Sequence, residues 1–105
     1  MSRNSPEPGL VLAPAAQSDL KEIYRYTLEN WGIKQAQNYL NHLKQSFKAL
    51  LKNPGLGRER IELGQNVRAI NCQKHIIFYR HIKTELQIIR VLHGRQDSER
   101  HLGCK

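Results

Sequence analysis

Arginine and histidine, rather than carboxylates or cysteines, are the side chains with which this chain of 105 residues could do chemistry. Arg68, Arg80 and Arg90 recur through its C-terminal half, followed by His93-Gly94-Arg95 and His101. A guanidinium grips phosphate or carboxylate with planar, two-pronged geometry. An imidazole exchanges protons near neutral pH, so His93 and His101 are the available acid–base groups. If strands gather these residues, they make an anion- or RNA-binding patch; if not, they are a solvated basic surface. Glu99, near His101, is the one acidic residue at a useful local offset. Acidic residues are otherwise scattered, so paired-carboxylate chemistry, a metal site or a cofactor is not expected. There is no glycine-rich phosphate cradle, GxSxG, HExxH or Walker lysine. Cys72 and Cys104 lack zinc spacing and read as reduced thiols.

Charge is the strongest bulk signal. Lys and Arg outnumber Asp and Glu by 17 to 9, a formal net charge of +8. Such a balance favours an anionic partner: nucleic acid, a machine carrying nucleic acid, or an acidic protein. Lys44, Lys48 and Lys52 recur every four residues, forming either a solvated helical face or a contact for an acidic partner. The hydrophobic share of 39% and charged share of 25% fit a soluble globular domain. No apolar run nears the roughly 20 residues that span a bilayer, and Met1–Gly9 lacks the apolar stretch of a signal peptide. A cytoplasmic protein is expected.

The elements that must position these residues follow from periodicity. Residues 1–8 form a flexible tail, 9–98 a single domain and 99–105 a second tail. Leu10-Val11-Leu12 reads as a strand. Pro14 then suits a first helical turn, where its missing N–H breaks no hydrogen bond. Ala16, Leu20, Ile23, Tyr24, Thr27, Leu28 and Trp31 fall on one helical stripe, with Trp31 expected in the core. Gly32 stops that helix. Ala36, Tyr39, Leu40, Leu43, Phe47, Leu50 and Leu51 mark a second, ended by Asn53-Pro54-Gly55. Residues 53–66 read as a loop. Strands are expected over Val67–Ile70, His75–Ile82 and Leu86–Leu92, joined by short turns and so antiparallel. The fold class is α+β, ordered β-α-α-β-β-β, with a two-helix hairpin on a small, mainly antiparallel sheet.

Both parities of the long strands are apolar: Ile76 and Phe78 against Ile77 and Tyr79, and Ile88 against Ile89 and Val91. A sheet covered on one face only should alternate cleanly. Either loops and the C-terminal tail cover the second face, or a partner does, which would leave an exposed apolar groove in the lone chain.

Several blocks resemble the ParE branch of the ParE/RelE toxin superfamily: Leu12-Ala13-Pro14-Ala15-Ala16-Gln17-Ser18-Asp19-Leu20 with Ile23-Tyr24-Arg25-Tyr26-Thr27 and Trp31-Gly32, then Asn53-Pro54-Gly55-Leu56-Gly57-Arg58, His75-Ile76-Ile77-Phe78-Tyr79-Arg80 and Ile89-Arg90-Val91-Leu92-His93-Gly94-Arg95. The resemblance spans residues 10–97. It implies a type II toxin that inhibits DNA gyrase by binding, neutralised by a ParD-like antitoxin with an acidic amphipathic segment. It assigns Ile76, Phe78, Ile88, Arg80 and Arg90 to the antitoxin and Arg68, His93 and Arg95 to the target, with no catalytic residue. The alternative within the superfamily is a RelE-type, ribosome-dependent mRNA endoribonuclease using Arg68, Arg95 and His101. Only that alternative implies direct nucleic-acid binding.

Overall fold

The computed structural model describes residues 8–94. Arg95, His101 and Cys104, residues 1–7 of the expected 1–8 tail, and the expected tail over 99–105 lie outside the described residues. The elements are β1 (Leu10–Leu12), α1 (Pro14–Trp31), α2 (Ile33–Lys52), two 3-10 turns at Pro54–Leu56 and Ile61–Leu63 flanking β2 (Arg58–Glu59), β3 (Val67–Cys72), β4 (His75–Ile82) and β5 (Glu85–His93). The five strands lie in the order β1-β5-β4-β3-β2. All pair antiparallel except β1, which runs parallel to β5 with Leu10 opposite Leu86.

One glycine turns the helical hairpin. Gly32, at φ +94°, donates its N–H to Leu28 O at 3.0 Å, and its carbonyl accepts the Ala36 N–H at 3.1 Å. It thus closes α1 and opens α2, in a conformation that a side chain would resist.

The hairpin lies on one sheet face. Ile23 of α1 and Leu43, Phe47 and Leu50 of α2 pack against Ile77, Tyr79, Leu86, Ile88 and Val91. This core departs from the sequence expectation at two places. Trp31 is 69% exposed, because the last turn of α1 overhangs a groove instead of a strand. Ile88 points into the helix-side core and not to the second face with Ile76 and Phe78. The cause is a β-bulge between Phe78 and Tyr79, where Phe78 pairs with Arg90 but Tyr79 pairs with Ile88. The extra residue, Ile89, resets the alternation.

The loop of residues 53–66 wraps the β2 edge of the sheet. On the helix side the buried Tyr79 hydroxyl donates to Pro54 O at 2.7 Å and accepts the Gly57 N–H at 2.7 Å. On the other side Leu63 packs against a second cluster of Ala69, Phe78 and Leu92, with Ile76 and Ile89 beside it. The Arg60 guanidinium sits 5.8 Å from the Phe78 ring centre. Loop cover therefore accounts for Phe78, and the expected open groove does not lie there.

Candidate functional site

An open apolar groove does exist, at the far end of the strands. It measures about 740 Å³ and separates the C-terminal half of α1 from the β3–β4 turn and the end of β5. Its origin is the shortness of β1. That strand stops at Leu12, where the Ala13 N–H bonds Ile88 O at 3.0 Å and Pro14 starts α1. Among the described residues, no strand lies beside the edge of β5 beyond Ile88. Ile23, Thr27, Val91 and Leu92 form the apolar lining, and Tyr26 (63% exposed) and Trp31 stand on the rim. Large aromatic side chains left in water at the lip of a groove are typical anchors for a protein partner.

Asp19 of α1 takes the place of the missing strand. Its carboxylate accepts the Val91 N–H at 2.9 Å and two bonds from Arg90, Nε at 2.8 Å and Nη2 at 2.9 Å. Val91 thereby keeps a backbone partner where the ladder ends. The same carboxylate holds the Arg90 side chain, now only 23% exposed, against the helix. Arg90 was expected at an antitoxin contact; Asp19 draws its side chain to the α1 side of the β5 edge.

The opposite wall holds a hydrogen-bonded chain. The Lys74 N–H donates to the Tyr39 hydroxyl at 3.0 Å, and that hydroxyl lies 2.6 Å from His75 Nδ1. A hydrogen bond donated by the Tyr39 hydroxyl to Nδ1, with His75 neutral and its own proton on Nε2, satisfies both groups. Burial, then repulsion from His93, pushes the His75 pKa down to about 4, against a smaller opposing pull from Asp19. The ring of His93 meets His75 edge-on at 5.3 Å, on the groove wall. Burial also raises the Tyr39 pKa, so the hydroxyl keeps its proton at neutral pH.

The sequence-predicted site residues do not converge on one patch. His93 is in the groove, whereas Arg68 lies at the other end of β3, a strand of six residues and so about 17 Å away. There Arg68 clamps the loop, donating to Gly57 O at 2.6 Å and to Glu59 Oε2 at 3.3 Å. Arg80 is on the second face opposite Val67, and its buried Nε has no hydrogen-bond partner among the described residues. Ile76 is half-buried on that face. Sequence reasoning missed Asp19, Tyr26, Tyr39 and His75. Tyr26 carried a signal, being an aromatic residue off the apolar stripe; Asp19 carried none, since its partner Val91 is 72 residues away.

No group of three or more His, Cys, Asp or Glu among the described residues could hold a metal ion. No described helix is long and apolar enough to cross a membrane.

Comparison with known proteins gives a consistent result. A family profile described as ParE toxin of type II toxin–antitoxin system, parDE, matches residues 10–98. Toxin ParE1 of Mycobacterium tuberculosis is 37% identical over 93 residues, covering 88% of this chain and 95% of that protein. Toxin ParE1 of Caulobacter vibrioides is 33% identical over 92 residues, with the same coverage of 88% and 95%. A solved structure described as a chromosomal ParDE TA system from P. aeruginosa superposes with a TM-score of 0.70 over 81% of this chain and 94% of that one, at 24% identity, a likeness of fold.

Proposed function

The chain belongs to the ParE toxin family of type II toxin–antitoxin systems, and from that premise we propose that it arrests growth in the cytoplasm by binding DNA gyrase, and is silenced by a ParD-like antitoxin. The observation that carries the partner reading is the groove rimmed by Tyr26 and Trp31. An amphipathic antitoxin segment seats its apolar side chains there. It then skirts the second face past the half-buried Ile76, Ile89 and Arg80. The toxin's charge of +8 speeds capture of such an acidic segment. Binding rather than cleavage is favoured because Arg68 is committed to Gly57 O and Glu59, and so is not presented to phosphate.

The test is expression in a bacterial host with and without the cognate antitoxin. Growth arrest with accumulation of cleaved gyrase–DNA complexes, relieved by the antitoxin, is expected. Trp31→Ala should leave the melting temperature unchanged, because the ring is 69% exposed, and weaken antitoxin binding at least tenfold, as truncating an aromatic anchor does (about 1.4 kcal/mol or more). Undiminished affinity would move the antitoxin elsewhere. Cut transcripts with intact chromosomes, abolished by His101→Ala, would replace the gyrase reading with the endoribonuclease.

A further inference from the structure

The groove wall carries two carboxylates, Asp19 and Glu22, and one ammonium, Lys74. Both acids are already matched, Asp19 by Arg90 at 2.8 Å and Glu22 by Arg25 at 2.6 Å. Lys74 is exposed, and its ammonium has no ion pair among the described residues. Its backbone, by contrast, is fixed at both ends. The N–H donates to the Tyr39 hydroxyl at 3.0 Å, and the carbonyl accepts the Gly94 N–H at 2.9 Å. The lysine stem therefore starts from a rigid turn at the lip of the groove.

His75, the next residue, adds a second donor. Its Nδ1 is taken by the Tyr39 hydroxyl at 2.6 Å, which leaves the Nε2 proton for another partner. Nε2 has no hydrogen bond among the described residues. It is not sealed from water either, since Arg80 Nε alone among their buried side-chain nitrogens and oxygens lacks a partner. A neutral ring held in this way presents an N–H, rather than a lone pair, to whatever enters the groove.

We propose that this end of the groove binds a carboxylate, the side chain of an aspartate or glutamate on the antitoxin segment, held by the Lys74 ammonium and the His75 Nε2–H. Tyr39 is a positioning residue, fixing the tautomer from behind the ring. The inference rests on the antitoxin occupying the groove, and gives that segment a polar anchor across from the aromatic rim of Tyr26 and Trp31. An unmatched ammonium calls for an anion, and the chain's charge of +8 favours an acidic partner. The lining contains no arginine, the residue that grips phosphate with two prongs. Its Ile23, Val91 and Leu92 suit instead a peptide segment oriented by a few placed polar groups.

The experiment measures binding of the full-length cognate antitoxin to purified toxin, by calorimetry and surface plasmon resonance at neutral pH. His75→Phe keeps a ring of similar size but removes the donor, and Lys74→Gln removes the charge from an exposed side chain. Each should weaken binding about tenfold, as losing a hydrogen bond to a charged group does, mainly through faster dissociation. Lys83→Gln, an exposed lysine between β4 and β5, controls for net charge and should act only on association. Replacing the antitoxin's acidic residues one at a time by their amides should find one whose loss is not additive with Lys74→Gln. Tyr39→Phe should leave His75 as a mixture of tautomers in nitrogen NMR spectra and weaken binding about twofold or more. Circular dichroism establishes that each variant is folded. Unchanged or tighter binding by His75→Phe, with Trp31→Ala still weakened, would overturn the carboxylate subsite and leave a purely apolar groove. So would a Lys74→Gln effect no larger than that of Lys83→Gln. Undiminished binding by Trp31→Ala as well would remove the antitoxin from the groove, a failure of the function proposed above and not of the subsite alone.

Discussion

Replacing Asp19 with alanine is the sharpest test of how the groove is built. The Asp19 side chain is 13% exposed and Arg90 23% exposed, and the carboxylate accepts three hydrogen bonds at 2.8–2.9 Å. Removing one partner of a buried pair costs about 3–5 kcal/mol, because the remaining charge loses its counterion without regaining water. Arg90 keeps some access to solvent, so the lower end, about 3 kcal/mol, applies. The orphaned Val91 N–H adds about 1 kcal/mol, partly recovered by water entering the groove. A loss of about 3 kcal/mol in a domain of this size lowers the melting temperature by at least about 12 °C. Urea unfolding followed by circular dichroism measures the change. Arg90→Leu and the double variant complete a thermodynamic cycle, with an expected coupling of about 2 kcal/mol. Additive single effects, or a loss below about 1 kcal/mol for Asp19→Ala, would refute the claim that this carboxylate replaces a strand.

Two other predictions concern the opposite wall and the loop. The His75 pKa of about 4 lies below its unfolded value of 6.5. The ring's contribution to stability is therefore complete above pH 6.5 and is lost as pH falls toward 4, amounting to about 2 kcal/mol after allowance for its partial exposure. His75→Gln should flatten that part of the stability–pH curve; an unchanged slope would acquit the ring. At Gly57 an added Cβ would lie 2.4 Å from the Tyr79 hydroxyl. Gly57→Ala should thus cost about 1–3 kcal/mol by overpacking, and Tyr79→Phe should cost a similar amount by stranding Pro54 O and Gly57 N–H. Faster amide exchange confined to residues 53–66 would accompany Tyr79→Phe, and unaltered exchange there would count against the staple.

What could be read from the sequence was whatever depends on near neighbours. The helix ends at Gly32 and Asn53 and the span of β4 follow from breakers and from period, and the structure places them as expected. The two-residue β2 is invisible because Arg58 and Glu59 carry no strand pattern; only pairing with Ala69 and Arg68 makes them one. The bulge has no local signature, and missing it put Ile88 on the wrong face. Trp31 satisfied the helical stripe, but periodicity does not say where the surface beneath a helix stops. The groove arises from the distance between the end of β1 and the end of β5, a quantity that no window of sequence contains.

That β1 lies beside β5 also has a temporal meaning. The first strand made waits for the last, since Leu10 is matched with Leu86 and Val91 reaches back to Asp19. A nascent chain emerging at about 5–20 residues per second can form its helical hairpin early, but sheet, groove and second face assemble only after β5 has left the exit tunnel. Long-range closure of this kind is slow compared with local helix formation. No new molecule therefore carries the groove until β5 has emerged, and on the function proposed above an antitoxin finds its seat only after that interval.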